Sequence, residues 1–180
     1  RTVLVGMRGC GKTQLASTLA QQCEDAHWSL VAWVNASSTE SITSDLVELA
    51  KRLKIDTSDQ PAQDVIVRRC LDHLKSAAPT DRLIVFDNVE DINYLTGLIP
   101  SGDGMRVVAT TTNKVGWEDQ GWNSIKVGVF DRNTSIEYLL TVTNSDDREA
   151  ADTLAEHLGD LPVAVAQAAA TARNKDLSLA

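Results

Sequence analysis

The chain has 180 residues and a formal charge of −8, with 17 basic against 25 acidic side chains. That balance speaks against a nucleic-acid-binding surface, which needs a basic face, and a 43% hydrophobic share speaks against disorder. No apolar run approaches the roughly 20 residues that cross a bilayer, and Cys10, Cys23 and Cys70 are too few and too widely spaced for a disulfide framework or a zinc site, which fits a reducing, cytoplasmic setting.

No signal peptide precedes the first apolar run, Thr2–Val5; so abrupt a start reads as a domain cut from a longer protein. That run predicts a strand, and a helix follows from Lys12 to about Cys23 with Leu15, Ala16, Leu19, Ala20 and Cys23 on one face. Ser29–Val34 predicts the second strand. The capping box Ser37-x-x-Glu40 opens a helix carrying Ile42, Leu46, Leu49, Ala50 and Leu53. A polar stretch, Asp56–Gln60, leads to a third helix from about Pro61 with Val65, Cys70, Leu71 and Leu74 inward, and Pro79 lies beyond its end. Then come a strand at Arg82–Phe86, a short helical piece around Asp91–Leu98, and strands at Arg106–Thr110 and Ser124–Val129. These strands are continuously apolar, as in a parallel sheet covered on both faces.

After Phe130 only helices are predicted. Thr134-x-x-Glu137 reads as a second capping box, Asp146–Leu158 as an amphipathic helix with Gly159 at its C-cap, and Pro162 to about Asn174 as an Ala-rich helix. The fold class is therefore α/β: a five-stranded, mainly parallel sheet flanked by helices over 1–130, followed by a small helical subdomain over 131–180.

Gly6-Met7-Arg8-Gly9-Cys10-Gly11-Lys12-Thr13 matches G-x-x-x-x-G-K-[ST] between a strand and a helix. Such glycines let successive backbone N–H groups curl around phosphates at a helix N-terminus. The loop thus points to ATP or ADP with Mg²⁺, held by Gly6, Arg8, Gly9, Cys10, Gly11, Lys12, Thr13 and Gln14. Lys12 would reach the β- and γ-phosphates and Thr13 the metal. Leu83-Ile84-Val85-Phe86-Asp87 supplies an acid where a buried strand leaves the sheet, and a hard cation with phosphate and water ligands needs such an oxygen donor. Asp87 joins Thr13 as the expected metal ligand and could also position water. No general base is assigned: Asn88 follows it, and an amide takes no proton. Glu90 and Asp91 either solvate the loop or cap the next helix. Cys10 either fills a variable loop position or, with Lys12 and the helix start favouring its thiolate, is redox-sensitive. His27, His73 and His157 read as surface or packing residues, and Trp28, Trp33, Trp117 and Trp122 as core and loop packing.

In order, the loop, the acidic strand, Met105–Asn113 and Gly159-Asp160-Leu161-Pro162 resemble the NB-ARC domain. This is the nucleotide-binding switch of plant resistance proteins, apoptotic protease activators and bacterial multidomain regulators, within the STAND class of signal-transduction ATPases (AP-ATPases). Val31-Ala32-Trp33-Val34 resembles the second strand of bacterial members, and the family's GLPL proline packs on adenine, which implies that role for Leu161 and Pro162. Asn88 stands for the family's second acid and Thr112 for its sensor arginine, so the resemblance implies retention of nucleotide with slow or absent hydrolysis. It also implies an upstream effector, a downstream winged-helix and repeat sensor region, and nucleotide-driven homo-oligomers; the acidic charge and the short apolar runs add the expectation of no nucleic acid or membrane as partner. Three functions stay open in this order: a regulatory switch, an active P-loop ATPase of the AAA+ kind or small-substrate kinase, and an interaction module with a structural nucleotide.

Overall fold

A computed structural model describes residues 1–56, 59, 62–76, 80–175 and 177–179. Pro61, where the third helix was expected to begin, and Pro79 beyond its end lie outside the described residues. The chain divides into two compact units, Arg1–Gly6 with Lys12–Lys126 and Met7–Gly11 with Val127–Ala180.

The first unit is built on five strands: β1 (Thr2–Val5), β2 (Leu30–Asn35), β3 (Arg82–Val89), β4 (Met105–Thr111) and β5 (Asn123–Lys126). They pair in the order β2-β3-β4-β1-β5, every pair parallel. The central strands need apolar side chains on both faces, and Arg82–Phe86 is buried throughout. On one face Ile84, Phe86, Val107 and Ala109 pack with Ile42, Leu46 and Ala50 of α2 (Thr39–Arg52) and Val67, Cys70 and Leu74 of α3 (Gln63–Ser76). Trp117 and Trp122 close the same core edge-to-face, centroids 5.1 Å apart.

The other face receives α1 (Lys12–Asp25), and here the expected inward set is corrected. Ala16, Ala20 and Cys23 are buried, whereas Leu15 and Leu19 are 51% and 38% exposed. Positions i, i+4 and i+7 form the helix stripe nearest the sheet, and small side chains there let the helix lie close. The strand expected at Ser124–Val129 is shorter and shifted, Asn123–Lys126, and all four residues are exposed, because β5 is the edge strand beside β1. Trp33 departs from the packing expected of it for the same reason: it points outward from edge strand β2 and is 41% exposed. Trp28 lies under the Arg106 guanidinium, 4.7 Å from the ring centroid.

Helix starts also shift from their expected positions. Ser38, not Ser37, caps α2: its backbone is extended and its Oγ accepts from the Ser41 N–H at 3.1 Å. Asp91 takes the capping alternative, accepting from the Asn93 N–H at 2.9 Å to open a single 3-10 turn, Ile92–Leu95.

In the second unit α4 (Arg132–Thr143), α5 (Arg148–His157) and α6 (Pro162–Lys175) enclose Ile136, Leu139, Ala151, Ala155, Val165 and Ala169. Alanines on two of the three helices bring the backbones near each other. Asp131 rather than Thr134 caps α4, accepting from the Thr134 N–H at 3.0 Å and its hydroxyl at 2.6 Å. Those bonds stabilise the carboxylate, lowering the Asp131 pKa. Asp147 caps α5 through the Ala150 N–H at 2.9 Å.

Candidate functional site

Carboxyl ends of parallel strands are where an α/β sheet presents ligand groups. In the first unit β1 ends there at Val5, and the next residue, Gly6, donates to the Thr111 carbonyl at 3.2 Å. Lys12, in the first turn of α1, folds back so that its Nζ donates to the Gly6 carbonyl at 3.0 Å, with the residue only 9% exposed. Thr13 and Gln14 follow, both exposed. Across the sheet end the Thr13 hydroxyl donates to Asp87 Oδ1 at 2.9 Å. The two residues expected as metal ligands, 74 positions apart, are thus neighbours.

Asp87 is held by a break in the ladder. Phe86 pairs with Ala109 and Val89 with Thr111, so Asp87 and Asn88 together face Thr110. Such a bulge turns a side chain out of the regular pleat. Asn88 takes the left-handed region at φ 62, which Asn tolerates better than most side chains. Its N–H reaches the Thr110 hydroxyl at 2.9 Å, and that hydroxyl donates to Asp87 Oδ1 at 2.6 Å. Thr111 closes the far side, donating to the Val89 carbonyl at 2.6 Å. Thr110 is the residue that sequence reasoning missed. Its strand was recognised, but only the bulged register places this hydroxyl against Asp87.

One carboxylate with one hydroxyl suits a hard cation completed by phosphate and water oxygens. No group of three or more His, Cys, Asp or Glu gathers among the described residues. The donor set therefore fits Mg²⁺ shared with a nucleotide better than a caged Ca²⁺ or Zn²⁺.

The second unit holds the remaining loop residues, Arg8, Gly9, Cys10 and Gly11, together with Leu161 and Pro162. Arg8 is exposed and Cys10 only 4% exposed. Gly9 and Gly11 have φ 82 and 95, open to glycine at no steric cost. Gly9 also lacks room: a Cβ there would lie 2.5 Å from Val163 Cγ1 and 3.6 Å from Leu161 Cδ2. Its carbonyl accepts the Val163 N–H at 3.1 Å, so a free amide of the first turn of α6 is satisfied by the loop. The turn before α6 has two consecutive left-handed residues, Gly159 at φ 61 and Asp160 at φ 54. Asp160 is fixed by Arg132, whose Nε and Nη2 donate to Oδ1 at 3.0 Å and Oδ2 at 2.9 Å. This fork holds the Asp160 carboxyl below its ordinary pKa.

A sequence profile described as the NB-ARC domain matches residues 2–116. The chain belongs to the NB-ARC family. A curated relative, a nucleotide-binding leucine-rich repeat (NLR)-like protein of Hyaloscypha variabilis, is 24% identical over 94% of this NB-ARC chain. The chain spans only 19% of that relative's length. Among solved structures, Cdc6p from Pyrobaculum aerophilum superposes with a TM-score of 0.69 at 16% identity, over 98% of this chain and 56% of its own. A Pyrococcus horikoshii signal transduction ATPase with numerous domains (STAND), carrying a tetratricopeptide repeat sensor, gives 0.57 at 16% identity, over 90% and 26%. The Drosophila ORC, solved bound to DNA, gives 0.62 at 16%, over 96% and 54%. These likenesses establish a P-loop NTPase fold, with a five-stranded parallel sheet flanked by helices, for an NB-ARC nucleotide-binding domain.

Proposed function

We infer that the chain is the ADP/ATP switch of a larger signalling protein, binding Mg²⁺-nucleotide and hydrolysing it slowly or not at all. The phosphates would lie on Gly6–Thr13, with Lys12 leaving the Gly6 carbonyl to meet them, the cation between Thr13 and Asp87, and adenine near Leu161 and Pro162. The observation that carries the reading is the seat of Val163 on Gly9. The segment following the left-handed turn is hydrogen-bonded to the loop itself, so a change in the loop's ligand would reach α6 through that bond. Slow turnover is supported by Asn88: an exposed amide at the bulge offers no base for an attacking water. A switch requires ADP and ATP to favour different arrangements, since equal preference shifts nothing.

The test is the nucleotide that co-purifies with the complete parent protein, followed by scattering profiles with ADP and with ATP. Stoichiometric ADP and distinct profiles are expected. Equal affinities with one profile would refute the switch, and steady turnover on the order of 1–10 s⁻¹ would favour an ATPase instead. Lys12→Ala should abolish nucleotide binding with the fold retained; unfolding would instead mark the nucleotide as structural.

A further inference from the structure

We propose that Thr110 is the positioning residue of the cation site, orienting the Asp87 carboxylate through its hydroxyl; the inference rests on the nucleotide-and-cation reading above. A threonine hydroxyl has one proton to give and lone pairs to accept with. Here both capacities are committed. The proton goes to Asp87 Oδ1 at 2.6 Å, and a lone pair takes the Asn88 N–H at 2.9 Å. With Thr110 only 1% exposed, solvent does not compete for either bond. The hydroxyl therefore occupies the gap that the bulge opens, tying together the residue that carries the carboxylate and the left-handed residue after it.

The consequence is specific to the cation. Asp87 Oδ1 receives two hydroxyls, Thr13 from α1 and Thr110 from β4, so this one oxygen is tied to two separate elements. Thr13 is itself an expected metal ligand and would exchange its bond to Asp87 for one to the ion. Thr110 has no such second task. It would keep Asp87 in place during that exchange, as a hydrogen-bonded partner holds a metal-ligating carboxylate in its orientation. Polar groups behind a metal ligand commonly govern metal affinity by 10- to 100-fold, about the scale expected here.

The test compares Thr110→Val, which keeps the β-branched shape and loses the hydroxyl, with Thr110→Ser, which keeps the hydroxyl. ADP affinity is titrated in excess Mg²⁺ and in EDTA, with circular dichroism to verify the fold. For Thr110→Val, the strengthening of ADP binding by Mg²⁺ should fall about tenfold while affinity in EDTA stays unchanged. Thr110→Ser should restore the strengthening. An unaltered Mg²⁺ effect in Thr110→Val, or an equal loss in Mg²⁺ and in EDTA, overturns the proposal and leaves the nucleotide reading standing. Failure of the unsubstituted protein to bind ADP in either condition overturns both. Should Thr110→Val not fold, Thr110→Ala takes its place under the same two outcomes.

Discussion

Replacing Gly9 by alanine tests the contact between the loop and α6 most directly. The structure gives two separable costs. Alanine at φ 82 sits in left-handed space, which costs about 1 kcal/mol or somewhat more for a residue with a Cβ. The new methyl would also stand 2.5 Å from Val163 Cγ1 and 3.4 Å from Val163 Cβ. Val163 cannot swing aside cheaply, because a β-branched side chain in a helix has one strongly preferred χ1. Overpacking of this kind costs about 1–3 kcal/mol, so Gly9→Ala should destabilise the second unit by about 2–4 kcal/mol. In a Val163→Ala background the clash is gone and only the backbone cost of about 1 kcal/mol remains. The assay is urea unfolding of the four proteins of the cycle. All four tryptophans lie in the first unit, so fluorescence reports that unit, and far-ultraviolet circular dichroism reports the helices of both. The loss should appear in the dichroism. If Gly9→Ala costs the same in both backgrounds, within about 0.5 kcal/mol, Val163 does not limit what fits at position 9.

Three further outcomes are expected. Because Arg132 lowers the Asp160 pKa, that pair stabilises the fold above the unfolded carboxyl's value of about 3.9 and loses its contribution as the pH falls through the lower folded value. Acid titration of the helical signal should therefore flatten in Asp160→Asn, and an unchanged profile would count against the pair. Arg82, 3% exposed, donates to the carbonyls of Leu74 at 2.7 Å and Asp103 at 2.6 Å. Arg82→Met orphans both and should cost about 3 kcal/mol, lowering the melting temperature by roughly 6–12 °C; a change below about 1 kcal/mol would show the guanidinium to be dispensable. Burial pushes the Cys70 thiol up to about 11, so native protein should resist iodoacetamide there at pH 8 and react after unfolding, as read by mass spectrometry.

The strongest signals in the sequence were those with a local cause. Leu83–Phe86 followed by Asp87 announces a buried strand ending in an acid, and the glycines before Lys12 announce a turn opening a helix. Periodicity was less informative where two faces competed. Leu15 and Leu19 match a helical apolar stripe as well as Ala16 and Ala20 do, and only closeness to the sheet favours the alanines. Capping went astray for a related reason. Ser37, Ser38 and Thr39 are all competent caps, and the extended backbone at Ser38 decides among them. In Asp131–Thr134 the acid competes for the role of the threonine. Thr110 lay beyond reach because three threonines in a row differ only in register, and that register depends on a bulge two strand ends must share.

The placement of residues 7–11 has a practical corollary for dissecting the protein. They group with 127–180 although 6 and 12 belong to the other unit. The polypeptide therefore passes between units three times, at 6/7, 11/12 and 126/127, instead of through a single tether. Expressing 127–180 alone would strip α6 of the carbonyl that satisfies the Val163 amide and uncover the side chain that Gly9 abuts. Truncation at 126/127 thus does not isolate a module, and a helical fragment prepared that way would be missing part of its own packing. Its behaviour in solution would report on the cut as much as on the unit.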